Sequence, residues 1–422
     1  MTDAPEGRLS RLVPAFRYRD FAFLAGANAA SIFGNQMAAV TIGWQVYAIR
    51  NDAFDLGLIG LAEYVPLLLL ALPAGQLADR LSRRLVFAVS LVLQVAVLVL
   101  LVLVTLNGAD RLWQFYALAG ANGVVSALGW PAARSLFPTL VPEESMAEAM
   151  ALRSTGMQAA IIAGPALGGL LFAVRPELPY VVAAAVIALS LLWMAHVREP
   201  AVERLDQGTG AESLLAGLRF VFRTRVLLGA ISLDLFAVLF GGAVALIPAF
   251  ARSILHVGPV GNGVLRSAMA VGAFAGAIML TRRTVGANAG RKLLVTVAVF
   301  GAALVVFGIS HSFPLSVAAL VVAGFADMIS MNIRSTTIAL VTPNEVRGRV
   351  TAVEMVFISA SNELGAFESG AAAALLGLVA GVVVGGGLTI AIALGWTRLF
   401  PQLVEVDRLE HLRPVAAAGE TV

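Results

Sequence analysis

Long apolar runs, each ended by a short charged or Pro/Gly-rich break, recur along the whole chain. A run of about 20 apolar residues is what an α-helix needs to cross the hydrocarbon core of a bilayer. Within lipid only helices and closed barrels satisfy every backbone polar group, so this pattern leaves few alternatives. The breaks define twelve candidate helices, over 20–49, 55–78, 85–106, 112–140, 146–173, 178–197, 226–250, 260–281, 291–310, 314–341, 349–374 and 377–397. Several are longer than a bilayer requires, so tilt or extension beyond the lipid is expected. Charged residues make up 13% of the chain, against about 25% in a soluble domain. An all-α membrane protein follows, with twelve transmembrane helices in two six-helix bundles.

The net charge of +3 comes from 29 basic and 26 acidic residues. Basic residues sit in the breaks between apolar runs, which is the pattern of membrane orientation and not of a nucleic-acid surface. With the N-terminus inside, the cytoplasmic segments hold Arg8, Arg11, Arg17 and Arg19, then Arg80, Arg83 and Arg84. They also hold Arg198, Arg204, Arg219, Arg223 and Arg225, then Arg282, Arg283, Arg291 and Lys292, then Arg347, Arg349, Arg398, Arg408 and Arg413. Outer segments hold Arg50, Arg111, Arg175 and Arg252. A multi-pass protein of the plasma (inner) membrane with both termini cytoplasmic is expected. The N-terminus lacks a short apolar core followed by a small-residue cleavage site, so no removable signal peptide is expected.

Several function classes drop out. The chain has no cysteine, which excludes disulfides and thiolate metal sites. His196, His256, His311 and His411 lie at span ends or in the tail without metal-ligand spacing. Gly385-Gly386-Gly387 lacks the lysine and Ser/Thr of a phosphate loop. No enzyme is expected, and no metal, cofactor or nucleic-acid partner.

The long polar interruption at 198–225 divides the chain. Residues 203–210 have no apolar period and read as an exposed linker. From Leu214 to Phe222 apolar residues return with Arg219, Arg223 and Arg225 among them, as in an amphipathic helix at the inner surface. The expected organisation is a cytoplasmic N-terminal segment (1–19), a six-helix bundle (20–197), the linker (198–225), a second bundle (226–397) and a cytoplasmic tail (398–422). A weak internal repeat supports the halves. Ala133-Arg134-Ser135 precedes Leu140-Val141-Pro142-Glu143-Glu144, and Ile333-Arg334-Ser335 precedes Leu340-Val341-Thr342-Pro343-Asn344-Glu345. The same alignment sets Gly164 opposite Gly365 and Gly169 opposite Gly370, as two bundles about a pseudo-two-fold axis would leave it.

Between the second and third runs lies Gly75-Gln76-Leu77-Ala78-Asp79-Arg80-Leu81-Ser82-Arg83-Arg84. Read as G-x-L-A-D-R-x-x-R-R, it resembles the loop between the second and third helices of the major facilitator superfamily of transporters. Ser82 stands where glycine is usual in that family. The resemblance implies a conformational latch of Gly75, Asp79, Arg80, Arg83 and Arg84, made in one transport state and broken in another. Charge and position alone fit a topology determinant equally well. The second-half counterpart around Arg282, Arg283, Arg291 and Lys292 has no acid matching Asp79, which predicts a one-sided latch.

In the fifth helix, Gly164-Pro165-Ala166-Leu167-Gly168-Gly169 resembles G-x3-G-P-x2-G-G, a motif of the superfamily's exporters, with Ala160 replacing its first glycine. A plain small-residue packing face is the other reading. Drug–proton antiporters of the superfamily carry an arginine four residues before a glycine in the fourth helix. Here Tyr116 precedes Gly120 and Ala119 precedes Gly123, so that relay does not carry over. Glu212–Phe220 is similar to the matching stretch of the enterobactin exporter group, whose members export siderophores and other lipophilic compounds with proton coupling.

Acidic residues inside spans are costly unless paired, neutralised or hydrated, which makes them coupling candidates. Asp234, Asp327 and Glu363 are the leading ones; Glu63 and Glu368 lie toward outer helix ends. Asp327 and Arg334 share a helical face seven residues apart, too far for direct contact, so each is expected to pair across helices. Arg153 and Glu354 occupy matching places in the two repeats and are candidates for an interdomain gate. Asn28, Asn35, Gln36, Asn122, Trp130 and Asn332 are candidates for a substrate cavity, with Gln45 and Trp44 beside them. Amides bonding across helices, and Trp44 as an interface anchor, are the alternatives.

The combined expectation is a secondary active transporter working by alternating access: a proton-coupled exporter of a small lipophilic or siderophore-like compound. Its partners would be that small molecule, protons and membrane lipid, and it is expected as a monomer. Facilitated uptake or lipid translocation, or a non-transporting membrane receptor, remain as alternatives.

Overall fold

The computed structural model describes residues 18–198, 211–283 and 285–414, without the side chains of 71–80 and 211–214. Arg8, Arg11, Arg17 and the linker stretch 203–210 therefore lie outside the described residues, as do the side chains of Asp79 and Arg80.

The described chain is helical. It runs α1 (Arg19–Arg50), α2 (Ala53–Arg80), α3 (Arg83–Leu106), α4 (Leu112–Leu136), α5 (Met146–Val174) and α6 (Leu178–His196). After these come α7 (Ala211–Arg223), α8 (Arg225–Phe240), α9 (Ile247–Ser253), α10 (Gly258–Arg282) and α11 (Ala289–Ile309). The last are α12 (Phe313–Val341), α13 (Asn344–Leu376), α14 (Leu378–Leu399) and the short α15 (Pro401–Val404). Among the described residues, nine segments are long and apolar enough to cross a membrane. α1, α4 and α13 are absent from those nine because they carry the polar residues: Asn28, Asn35 and Gln36 on α1, Asn122 on α4, Glu354 and Glu363 on α13.

Two spans differ from their sequence limits. The run 226–250 is not one helix: α8 ends at Phe240, a 3-10 turn covers Gly242–Leu246, and α9 follows with Pro248 in its first turn. The break falls at Gly241 and Gly242, where the packing leaves no room for a side chain. A Cβ on Gly242 would stand 2.2 Å from the Gly365 carbonyl oxygen, and one on Gly241 would stand 2.6 Å from the Phe300 ring. The fourth helix ends at Leu136 instead of 140, where Phe137–Thr139 tightens into a 3-10 turn at Pro138. Proline lacks the N–H that another α-helical turn would use.

The chain divides into two compact units. Unit 1 comprises residues 1–51, 59–206 and 257–267; unit 2 comprises 52–58, 207–256 and 268–422. Within unit 1, α5 packs on α1 through glycine. A Cβ on Gly164 would meet the Gln36 Cβ at 2.8 Å, and one on Gly168 would meet Val40 at 2.8 Å. Further along α5, Gly169 faces the opening turns of α10, 2.3 Å from the Pro259 carbonyl oxygen by the same measure. In unit 2 the repeat partners behave alike. Gly365 sits against the Val238 carbonyl of α8, and Gly370 against Ala53 and Gly57 in the first turns of α2. Backbone-to-backbone approach of this kind is how helices associate in lipid, where burial of apolar side chains drives little.

Both polar extensions dock on unit 2. Val221 of α7 is buried with Leu227, Ile231, Ile338, Val341, Val350 and Val353, while Leu215 and Phe222 stay exposed. The tail beyond α14 buries Leu403 and Val406 among residues of α8 and α11. It also closes the start of α11. The N–H groups of Ala289 and Gly290 donate to the carbonyls of Asp407 and Val406 at 2.8 and 2.9 Å, and the Asn288 N–H donates to Asp407 Oδ1 at 2.7 Å. The acid that meets the start of α11 therefore comes from the tail and not from the loop between α10 and α11.

Candidate functional site

Polar groups gather at two places, one in each unit. In unit 2, α8 and α12 cross where Asp234 meets Arg334 in an ion pair, with side chains only 11% and 6% exposed. Asp327, two turns before Arg334 on α12, is partly buried and within the electrostatic field of both partners. Asp234 holds the guanidinium directly, and a second carboxylate, Asp327, stands near the pair. The Arg334 Nε has no hydrogen-bond partner among the described residues. Arg334 pairs across helices, and the structure supplies the partner that the sequence did not name, Asp234. Asn332 is on the same helix, and Glu363 is partly buried on α13.

In unit 1 the cluster is built from amides and one acid. Asn122 of α4 donates through Nδ2 to Asn35 Oδ1 of α1 at 3.0 Å and to Glu63 Oε1 of α2 at 2.8 Å. Gln94 of α3 accepts from the Ser31 hydroxyl at 2.7 Å and donates to the Ser31 carbonyl at 3.3 Å. Asn35, Glu63, Gln94 and Asn122 line a cavity of about 80 Å3, whose remaining wall is apolar. The backbones of α2 and α4 touch beside it: a Cβ on Gly123 would stand 2.0 Å from the Glu63 carbonyl oxygen. Asn28 is buried on α1, whereas Trp130 is 66% exposed. Gln36 packs on Gly164. Gln45 bonds across helices, donating to Thr105 Oγ1 at 3.1 Å and accepting from the Tyr180 hydroxyl at 2.7 Å.

The loop between α2 and α3 is tied to helix ends. Arg84 donates to the Met194 and Ala195 carbonyls at 3.1 and 2.8 Å, in the last turn of α6. Arg83 donates to the Ser135 carbonyl near the end of α4 at 3.2 Å. Cations on unsatisfied C-terminal carbonyls also oppose the negative end of the helix dipole. Ser82 caps α3, its side chain accepting from the Leu85 N–H at 3.2 Å. Gly75 lies within α2. In α5, Gly164, Pro165, Gly168 and Gly169 are all buried. Arg153 lies over the Phe137 ring at 4.5 Å in unit 1, and Glu354 belongs to α13 of unit 2.

A family model described as Major Facilitator Superfamily matches residues 24–366. The chain belongs to the Major Facilitator Superfamily. It is a multi-pass secondary transporter of this family, not an enzyme, and its substrate is a small molecule. Among curated relatives, the multidrug efflux pump Tap of Mycolicibacterium fortuitum is 26% identical, over 82% of this chain and 87% of that protein. The staphyloferrin A transporter of Staphylococcus aureus is 25% identical, over 33% of this chain and 36% of that one. The crystal structure of a point mutant of the nucleoside transporter NupG shares the fold, with a TM-score of 0.73 at 12% identity, covering 90% of this chain and 100% of that one.

Two contacts of this transporter escaped the sequence. Glu63 was readable as an acid inside a span, but nothing in its spacing ties it to Asn122, 59 residues later. The one available signal was Gly120 and Gly123 beside Asn122, which mark a close approach of another helix. Asp407 escaped because a cap supplied from a distant segment leaves no local pattern.

Proposed function

We propose that this chain is a proton-coupled exporter of a small lipophilic or siderophore-like compound, working by alternating access. The observation that carries this reading is the group of two carboxylates and one guanidinium on α8 and α12. With both acids ionised the group bears one uncompensated negative charge inside the membrane, where such charge is costly. One proton removes it. Gain and loss of that proton would bias the helices between two arrangements and so couple a gradient to transport. Support for export comes from the efflux function named for the Mycolicibacterium relative and from the Gly164–Gly169 run in α5. The siderophore-like option rests on the Staphylococcus relative and on the short likeness of Glu212–Phe220 to the enterobactin exporter group.

The remaining roles are part of this proposal. Gly75, Asp79 and Arg80 form the latch, with Arg83 and Arg84 anchoring it to helix ends. Arg153 and Glu354 serve as the gate, and Asn28, Asn35, Gln36, Asn122, Trp130 and Asn332 serve the substrate path. Both termini face the cytoplasm, and the monomer is the working unit.

Proteoliposomes with an imposed pH gradient test the reading, using siderophores, lipophilic drugs and lipids as cargo. Gradient-dependent movement of one class, abolished when the gradient is collapsed, is expected. Movement of no compound in either direction would overturn it. If D234N and D327N both keep wild-type gradient-driven rates, neither carboxylate is the coupling group.

A further inference from the structure

We propose that Glu63 is a separate proton-binding site, housed in unit 1 and serving the cavity enclosed by α1, α2, α3 and α4. The coupling role of this site rests on the exporter reading; its existence as a protonation site does not.

The two acidic clusters differ in what balances their charge. Asp234 carries its counter-charge with it in Arg334. Glu63 has none among the described residues: its partner is the neutral amide of Asn122, 2.8 Å from Oε1. The other lining residues contributed by α1, α3 and α4 are amides and aliphatic groups, with Asn35, Gln94 and Asn122 the polar ones. No other charged or titratable side chain lines the cavity among the described residues. An ionised Glu63 would be a bare charge at membrane depth, held only by hydrogen bonds, which is the costly case. A proton delivered by water settles it. About 80 Å3 of space is more than the roughly 10–15 Å3 that one water needs, and Glu63, Asn35, Gln94 and Asn122 supply its polar partners. That is room for hydrated proton delivery.

The hydrogen bonding permits the exchange without rebuilding the site. Oε1 accepts from Asn122 whether it belongs to a carboxylate or to the C=O of a neutral acid. Glu63 Oε2 makes no hydrogen bond among the described residues, so it is the oxygen left to take the proton. A hydronium in the cavity gives its proton to Oε2, a water remains, and the carboxylate becomes a neutral acid. The Glu63 backbone lies against Gly123 of α4, one residue from its donor Asn122, so the acid and its donor are held side by side. Water must reach the acid.

The test is infrared difference spectroscopy of the full-length protein in lipid, titrated with pH in the absence of any cargo. Wild type is expected to show a protonated-carboxyl band that appears and disappears reversibly. E63Q removes that component, D234N retains it, and N122A moves its midpoint because the donor to Oε1 is lost. If E63Q fails to fold, the N122A titration alone still decides. A wild-type spectrum without a titrating carboxyl overturns the proposal, as does an E63Q spectrum identical to wild type or an unmoved midpoint in N122A. A wild type that titrates but transports nothing in the proteoliposome assay removes the exporter reading and leaves the proton site in place.

Discussion

Arg334 and Asp234, 100 residues apart in the chain, form an ion pair buried between α12 and α8. Each is placed by its own helix. Arg334 stands on the buried side of α12 with Ile333, Thr337 and Ile338, and Asp234 follows the buried Leu233 of α8. Removing one partner of such a pair costs about 3–5 kcal/mol, because the other is left buried and unbalanced. R334Q should therefore lower the melting temperature in detergent more than D234N/R334Q does. Equal melting temperatures would show that the pair is not what holds α8 and α12 together.

Close backbone approach makes a second prediction. A Cβ at Gly123 would stand 2.0 Å from the Glu63 carbonyl, whereas nothing lies within 4 Å of one at Gly387. G123A should destabilise by about 1–3 kcal/mol through overpacking. G387A, in the interior of α14, should be neutral or gain about 0.5–1 kcal/mol. Thermal unfolding of the two variants side by side measures the difference.

Ser82 caps α3 through its side chain. S82A should cost about 1 kcal/mol and S82G only a few tenths. The glycine usual at this place in the family is thus the mild substitution and alanine the severe one. Amide exchange at the start of α3 checks it, with Leu85 the most affected in S82A.

Asp407 offers a longer-range test. Its carboxylate accepts from the Asn288 N–H, and its carbonyl from Ala289. D407A removes only the side-chain acceptor and should cost about 1 kcal/mol, as the loss of a helix cap does. D407N keeps an acceptor oxygen and should recover most of it. Faster hydrogen exchange at Asn288 in D407A, and near-wild-type exchange in D407N, is the expected reading.

How much of this was legible depended on range. Spans show in sequence because crossing lipid demands a length of apolar residues that nothing else demands. The break at Gly241 does not show, since two glycines hardly change the hydropathy of the run around them; the Phe300 ring and the Gly365 carbonyl that exclude a side chain there come from elsewhere in the chain. Asp234, Asp327 and Arg334 stand out singly as charges in apolar surroundings. Which of them meet is fixed by the register of α8 on α12, and no local pattern encodes that. Asn35 and Asn122 stood out as polar residues in spans, but Glu63 joins them only once α2 has been laid against α4 at Gly123. The repeat was readable as matched glycines, and in the structure each member of the Gly164/Gly365 pair meets the helix that opens its half.

The tail's hold on α11 bears on how the protein is made. A chain entering the membrane during synthesis builds its N-terminal parts first. Ala289 and Gly290 leave the ribosome long before the carbonyls they donate to, and the Asn288 partner follows 119 residues later. Until Asp407 has emerged, the start of α11 has only water for its free N–H groups. Unit 2 is therefore closed by almost the last residues described, and a chain stopped just after α14 would carry every long helix yet leave α11 open at its first turn.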